Sequence, residues 1–106
     1  MSSEARIAVD VAAAADVAAA KVEQVLLAER CTINEKSPDG LTVNFTTRKT
    51  MLSWELEGVI VVSPVSQGSR IDLALNTHHN RPAALLDKKK NEKSANKLME
   101  RITAAV

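Results

Sequence analysis

Six side chains in this sequence could together hold a small ligand: Cys31, Glu35, Thr47, Trp54, Thr77 and His79. They supply a thiol, a carboxylate, two hydroxyls, an indole and an imidazole. The hairpin registers worked out below put Cys31, Thr47, Trp54 and His79 in one row at one end of an inward-facing surface. Thr77 falls in the next row and Glu35 in the row after that. Polar groups converging at one end of an apolar face are the usual form of a ligand site. Gly58 shares the row of Glu35 and brings no side chain, which predicts a small gap beside the carboxylate. The same residues also have an ordinary structural reading. Cys31 and Trp54 suit a core, and an inward Glu35 on an edge strand blocks edge-to-edge pairing.

Chemistry beyond binding finds little support. His78 and His79 are adjacent, so on a strand they point to opposite faces and cannot share a metal ion. Cys31 is the one cysteine, which excludes an internal disulfide and any zinc site built from several thiolates. Catalysis by Cys31 with His79 would need the thiol within hydrogen-bond reach and a depressed thiol pKa. No motif calls for either, so the chain reads as non-catalytic, with no cofactor and no metal.

Composition narrows the partners. The chain has 106 residues, 45% of them hydrophobic and 25% charged, which fits a single α+β domain spanning 1–106. A formal net charge of +1 gives no bulk attraction to nucleic acid or to an anionic membrane. Phe45 and Trp54 are the only aromatics, too few for the stacking platforms of a single-strand nucleic-acid binder. Asp10, Asp16 and Lys21 interrupt the Ala/Val-rich start, so it cannot span a bilayer. It also lacks the basic-then-apolar order of a signal peptide, and a cytoplasmic location is the expectation.

The elements that must position the six residues follow from periodicity. Trp54, Leu56, Gly58, Ile60 and Val62 alternate with polar or outward positions, as do Ile71, Leu73, Leu75 and Thr77. These are two strands with one buried side, joined through Pro64 to Ser69. A turn centred between Ser66 and Gln67 sets Val62 opposite Ile71 and Ile60 opposite Leu73, so the inward sets meet. Cys31–Lys36 and Leu41–Arg48 form a second hairpin around Ser37-Pro38-Asp39-Gly40, with Ile33 facing Phe45 and Glu35 facing Val43. Pairing Thr47 with Trp54 then sets Phe45 beside Leu56 and Val43 beside Gly58. Ala5, Ile7, Val9 and Val11 give a first strand. Ala12–Arg30 reads as a helix with Ala18, Val22, Val25, Leu26 and Glu29 at helical spacing. Ala83–Val106 reads as a second helix, started by Pro82, with Ala95, Leu98, Met99 and Ile102 on one stripe. Lys88, Lys89, Lys90, Lys93 and Lys97 form a basic run diluted by Asp87, Glu92 and Glu100, and read as a solvated helix face. The fold class is therefore α+β: a five-stranded, mostly antiparallel sheet with two helices on one face, in the order β-α-β-β-β-β-α.

The opposite face of that sheet carries Ala8, Val59, Val61 and Ala74, rimmed by Arg6, Glu55, Glu57, Asp72 and Asn76. Both helices are needed on the inward face, so nothing in the chain remains to cover this strip. Burying the two valines would contribute on the order of 3–6 kcal/mol before the costs of association. Val59, Val61 and Ala74 are thus the candidate interface for a protein partner or a homodimer. The competing reading is two ordinary surface valines.

The order of strand, helix, four strands and helix resembles the TATA-binding-protein-like fold. It is similar also to a shortened helix-grip fold, the architecture of the START and Bet v 1-like superfamily. The likeness covers nearly the whole chain as element order and inward–outward pattern, with no shared residue motif. The helix-grip resemblance implies a small hydrophobic ligand held between the sheet and the helices. This is the alternative to a non-catalytic interaction module.

Overall fold

The structure, a computed structural model, describes residues 4–48, 55–77 and 87–106. Trp54, His78, His79, Pro82 and the expected helix start at Ala83 lie outside them. The elements are β1 (Ala5–Val11), α1 (Ala15–Ala28), β2 (Thr32–Lys36), β3 (Thr42–Thr46), β4 (Leu56–Val65), β5 (Gly68–Thr77) and α2 (Asp87–Ala105). They form one five-stranded antiparallel sheet in the order β1-β5-β4-β3-β2. β2 to β5 make a continuous meander, and β1 returns to the far side of β5. Both helices pack on one face of the sheet and against each other.

Burial follows the expected parity. Ile60, Val62, Ile71, Leu73 and Leu75 are buried on the helix side, where α1 sends in Ala18, Val22, Val25 and Leu26, and α2 sends in Ala95, Leu98, Met99 and Ile102. Asn91, one turn before Ala95, is buried on the same stripe although it is polar.

The β4–β5 hairpin has the expected register, with Val62 opposite Ile71 and Ile60 opposite Leu73. Its strands run further than the Pro64–Ser69 loop implied, and the turn shrinks to Ser66 and Gln67. Gly68 has a φ of +146°, and a Cβ there would overlap the backbone of Val11 and Ala12. Only glycine admits this approach. Next to it, the buried Ser69 hydroxyl donates to the Ala13 carbonyl at 2.8 Å. The hairpin tip therefore holds the chain leaving β1, and α1 begins at Ala15 rather than at Ala12.

Two registers differ from expectation. Ile33 does face Phe45, but Glu35 faces Asn44 and Lys36 faces Val43, because β2 is bulged between Ile33 and Glu35. The turn explains the bulge. Ser37 N–H donates to the Thr42 carbonyl, the Ser37 hydroxyl accepts from Thr42 N–H, and Asp39 accepts from the Ser37 hydroxyl and from Leu41 N–H. Closing the loop on Ser37 and Thr42 shifts the pairing by one residue, and the bulge restores it. Glu35 is thereby exposed rather than inward. Lys36 takes the helix-side position, and its Nζ reaches Glu23 of α1 at 2.9 Å.

The β3–β4 register is offset by two residues from the expected one. Phe45 faces Gly58 and Val43 faces Ile60, while Thr47 exchanges hydrogen bonds with Leu56. The reason is steric. The Phe45 ring lies across Gly58, where any Cβ would overlap it. The gap expected beside Gly58 is filled by that ring, and Glu35 is not next to it.

Candidate functional site

α1 ends in a cap that places Cys31. Arg30 N–H donates to the Leu27 carbonyl at 3.0 Å and Cys31 N–H to the Leu26 carbonyl at 2.9 Å. This is the paired bonding of a Schellman cap, with Arg30 in the left-handed position at a φ of 61°. The reversal turns Cys31 under the helix, where it is buried. At the far end of β3, Thr47 pairs with Leu56. Its N–H donates to the Leu56 carbonyl and its Oγ1 accepts from Leu56 N–H, each at 2.8 Å.

Cys31 and Thr47 meet in a half-open cleft of about 180 Å³ between the sheet and the two helices. Leu75 and Leu98, both buried, form its floor with Cys31. Glu29, Arg48, Ser94, Lys97 and Arg101 form its walls. Arg101 donates to Glu29 at 3.2 Å, tying the end of α1 to α2. Burial, and then the neighbouring Glu29 carboxylate, push the Cys31 thiol above its ordinary pKa. The thiol thus stays protonated at neutral pH, the opposite of what a nucleophilic cysteine requires.

Of the expected six, Cys31 and Thr47 are the two among the described residues that line this cleft. Thr77 is buried on the helix side opposite Leu56, which the shifted register places in the same cross-strand row as Thr47, but it is not among the residues lining the cleft. Glu35 is displaced by the bulge and exposed. Trp54 and His79 lie outside the described residues. The charged wall from Arg48, Lys97 and Arg101 was not anticipated. Ser94, Lys97, Leu98 and Arg101 recur at three- and four-residue spacing, so one side of α2 had to present them together.

A second concavity lies on the opposite face of the sheet. It is a groove of about 610 Å³ across β1, β5 and β4. Val59, Val61, Ala74 and Ala8 line its floor, with Glu4, Arg6, Glu57, Asp72 and Asn76 around it. Val59 faces Ala74, Val61 faces Asp72, and Val59 is 39% exposed. Arg6 donates to Glu4 at 2.8 Å, and this bond, with the attraction between the two charges, lowers the carboxyl pKa and raises that of the guanidinium. A third hollow of about 500 Å³ runs along the free edge of β1 and has mostly polar walls, including Glu4, Arg6, Glu92 and Asn96. Among the described residues there is no cluster of three metal-ligating side chains, and no helix is long and apolar enough to cross a membrane.

No family model and no curated protein matches this sequence. Solved structures do match. Protein CV1439 from Chromobacterium violaceum superposes with a TM-score of 0.62 over 97% of this chain and 96% of that one, at 11% identity. A START superfamily protein from Mycobacterium smegmatis gives 0.51 over 96% and 92%, at 15% identity. The fold is helix-grip-like. Ara h 8.0201 also aligns, with a TM-score of 0.49 over 95% of each chain and 9% identity. At these identities the likeness is one of fold. The helix-grip arrangement places the 180 Å³ cleft between the sheet and its final helix.

Proposed function

We propose that the protein is a small non-catalytic binding module whose main interaction surface is the outward groove. The groove's apolar floor, on a sheet face that no other described element covers, carries this reading. Antiparallel sheets with one solvated face normally alternate apolar and polar residues. Here Val59, Val61, Ala74 and Ala8 break that alternation in one place. The groove spans three strands, about 10 Å across at ordinary strand spacing and about 14 Å along the strands, or roughly 140 Å². A stable protein interface takes roughly 800 Å² from each partner. The groove therefore suits an extended apolar segment of a partner protein better than the whole face of a second copy.

Sedimentation at several concentrations and native mass spectrometry of protein taken from cells test this reading. The expected result is a monomer that carries a partner, with the partner lost when Val59 and Val61 are both changed to Lys while circular dichroism is unchanged. A wild-type homodimer abolished by the same pair would make the occupant a second copy. Partner binding untouched by the double change would remove the groove from the reading.

The cleft at Cys31 and Thr47 favours a second reading, a small hydrophobic ligand between sheet and helices. Its position and its buried floor of Leu75 and Leu98 support this, as does the helix-grip-like fold. At about 180 Å³ it is smaller than the roughly 300 Å³ at which ligand pockets begin, so the ligand would be short.

A further inference from the structure

The walls of the cleft are more specific than its floor. Arg48 comes from the end of β3, Lys97 and Arg101 from successive turns of α2, and Glu29 from the end of α1. Among the described residues, three cations and one carboxylate leave a net charge of +2 around the opening. Glu29 is already engaged by Arg101. Among the described residues, neither Arg48 nor Lys97 has an ion-pair partner. Like charges brought together from the sheet and α2 repel one another unless an anion lies between them. The Thr47 hydroxyl adds a donor. Its oxygen is taken by Leu56 N–H, which leaves its proton to give away. Directly beneath lie Leu75 and Leu98, 1% and 8% exposed. Charge at the rim and dry hydrocarbon below match a molecule with an anionic head and an apolar body.

We infer that the cleft binds a small amphipathic anion, a carboxylate or phosphate monoester on a short alkyl or aryl body. Its head lies between Arg48, Lys97 and Arg101, and its body lies on Leu75 and Leu98. This rests on the second reading above and adds the charge of the ligand to it. Hydrogen bonds between ionised groups are roughly twice as strong as neutral ones, so the head contributes much of the selectivity. Glu29 competes with the ligand for Arg101 and weakens binding.

The test is titration of the isotope-labelled 106-residue chain with octanoate, octyl phosphate, octanol and inorganic phosphate, followed by backbone amide shifts. Octanoate or octyl phosphate is expected to move the amides of Cys31, Thr47, Arg48, Ser94 and Lys97, and to bind about tenfold or more tightly than octanol. The better of the two names the head group. Arg48→Gln with Lys97→Gln should weaken the anion about tenfold and leave octanol unchanged. Both residues are exposed, so the fold is expected to persist. Glu29→Gln should tighten the anion severalfold by releasing Arg101, a gain that a damaged fold would not produce. Octanol binding as tightly as the anions would overturn the inference and leave the hydrophobic-ligand reading standing. So would an unchanged affinity in the Arg48 and Lys97 double variant. Inorganic phosphate binding as tightly as octanoate would also overturn it, because the floor would then play no part. If none of the alkyl ligands moves the cleft amides, the inference and the second reading fall together.

Discussion

The ring of Phe45 occupies the space that a side chain at Gly58 would need. The two residues face each other across β3 and β4, so this contact sets how those strands align. Any other register would bring a side chain of β4 under the ring. Gly58→Ala is expected to destabilise the protein by about 1–3 kcal/mol, the usual cost of overpacking a core. Urea melts measure it. Combining Gly58→Ala with Phe45→Leu should cost less than the two single losses added, because they meet at one contact. Strict additivity would mean the ring lies elsewhere.

Arg30 holds the left-handed position of the α1 cap with an ordinary side chain. That conformation costs an L-residue about 1–2 kcal/mol, and glycine gives back part of the gain as lost freedom. Arg30→Gly should therefore stabilise the chain by about 0.5–1 kcal/mol. A higher midpoint in thermal or urea unfolding, with an unchanged denaturant slope, is the expected observation.

The two faces of the β4–β5 hairpin should respond differently to substitution. Leu73 is 1% exposed under the helices, and Leu73→Ala should cost about 2–5 kcal/mol. Val59 faces outward, and Val59→Thr should cost under about 1 kcal/mol in dilute solution. Equal losses would overturn the assignment of faces.

Cys31 links stability to alkaline pH. Its folded pKa lies above the ordinary thiol value of 9.0, because burial disfavours the thiolate. The fold gains from the neutral thiol below that ordinary value, and the gain is lost as pH rises through the higher folded pKa. Stability should therefore fall on the alkaline side of pH 9, and Cys31→Ala should lack this component of the fall. At pH 8, iodoacetamide should modify Cys31 only in unfolded chains, which mass spectrometry of pulsed samples detects.

Much of this architecture is legible in the sequence. The β4–β5 hairpin could be aligned because both arms alternate strictly and a short turn leaves one register with all apolar residues inward. The strands before it were harder. Whether the loop at Pro38 closes on Lys36 or on Ser37 depends on hydroxyl and carboxylate hydrogen bonds that alternation does not encode, and Glu35 changes face with the answer. Gly58 reads as a gap because a sequence shows a missing side chain but not the neighbour that leans into the space. Lys97 reads as part of a solvated helix face, and no motif singles out Arg101. Helical period separates the buried stripe from the rest, yet it does not say which residues at the border overhang a neighbouring strand. The placement of Cys31 and Thr47 on one inward face survived, since it depended on parity alone.

The position of β1 governs how the chain assembles. Each other strand has a sequence neighbour beside it, whereas β1 pairs with β5, Ala5 opposite Leu75 and Val11 opposite Ser69. The loop closed by this pairing contains α1 and the strands β2 to β4. Contacts that distant in sequence slow folding, because chain entropy is lost before the contacts form. On a growing chain β1 is the first strand synthesised and the last that the sheet can accept. Until residues 68–77 have emerged and paired, the apolar side of Ile7, Val9 and Val11 has no sheet to join. During that interval it is the segment most open to contact with other chains.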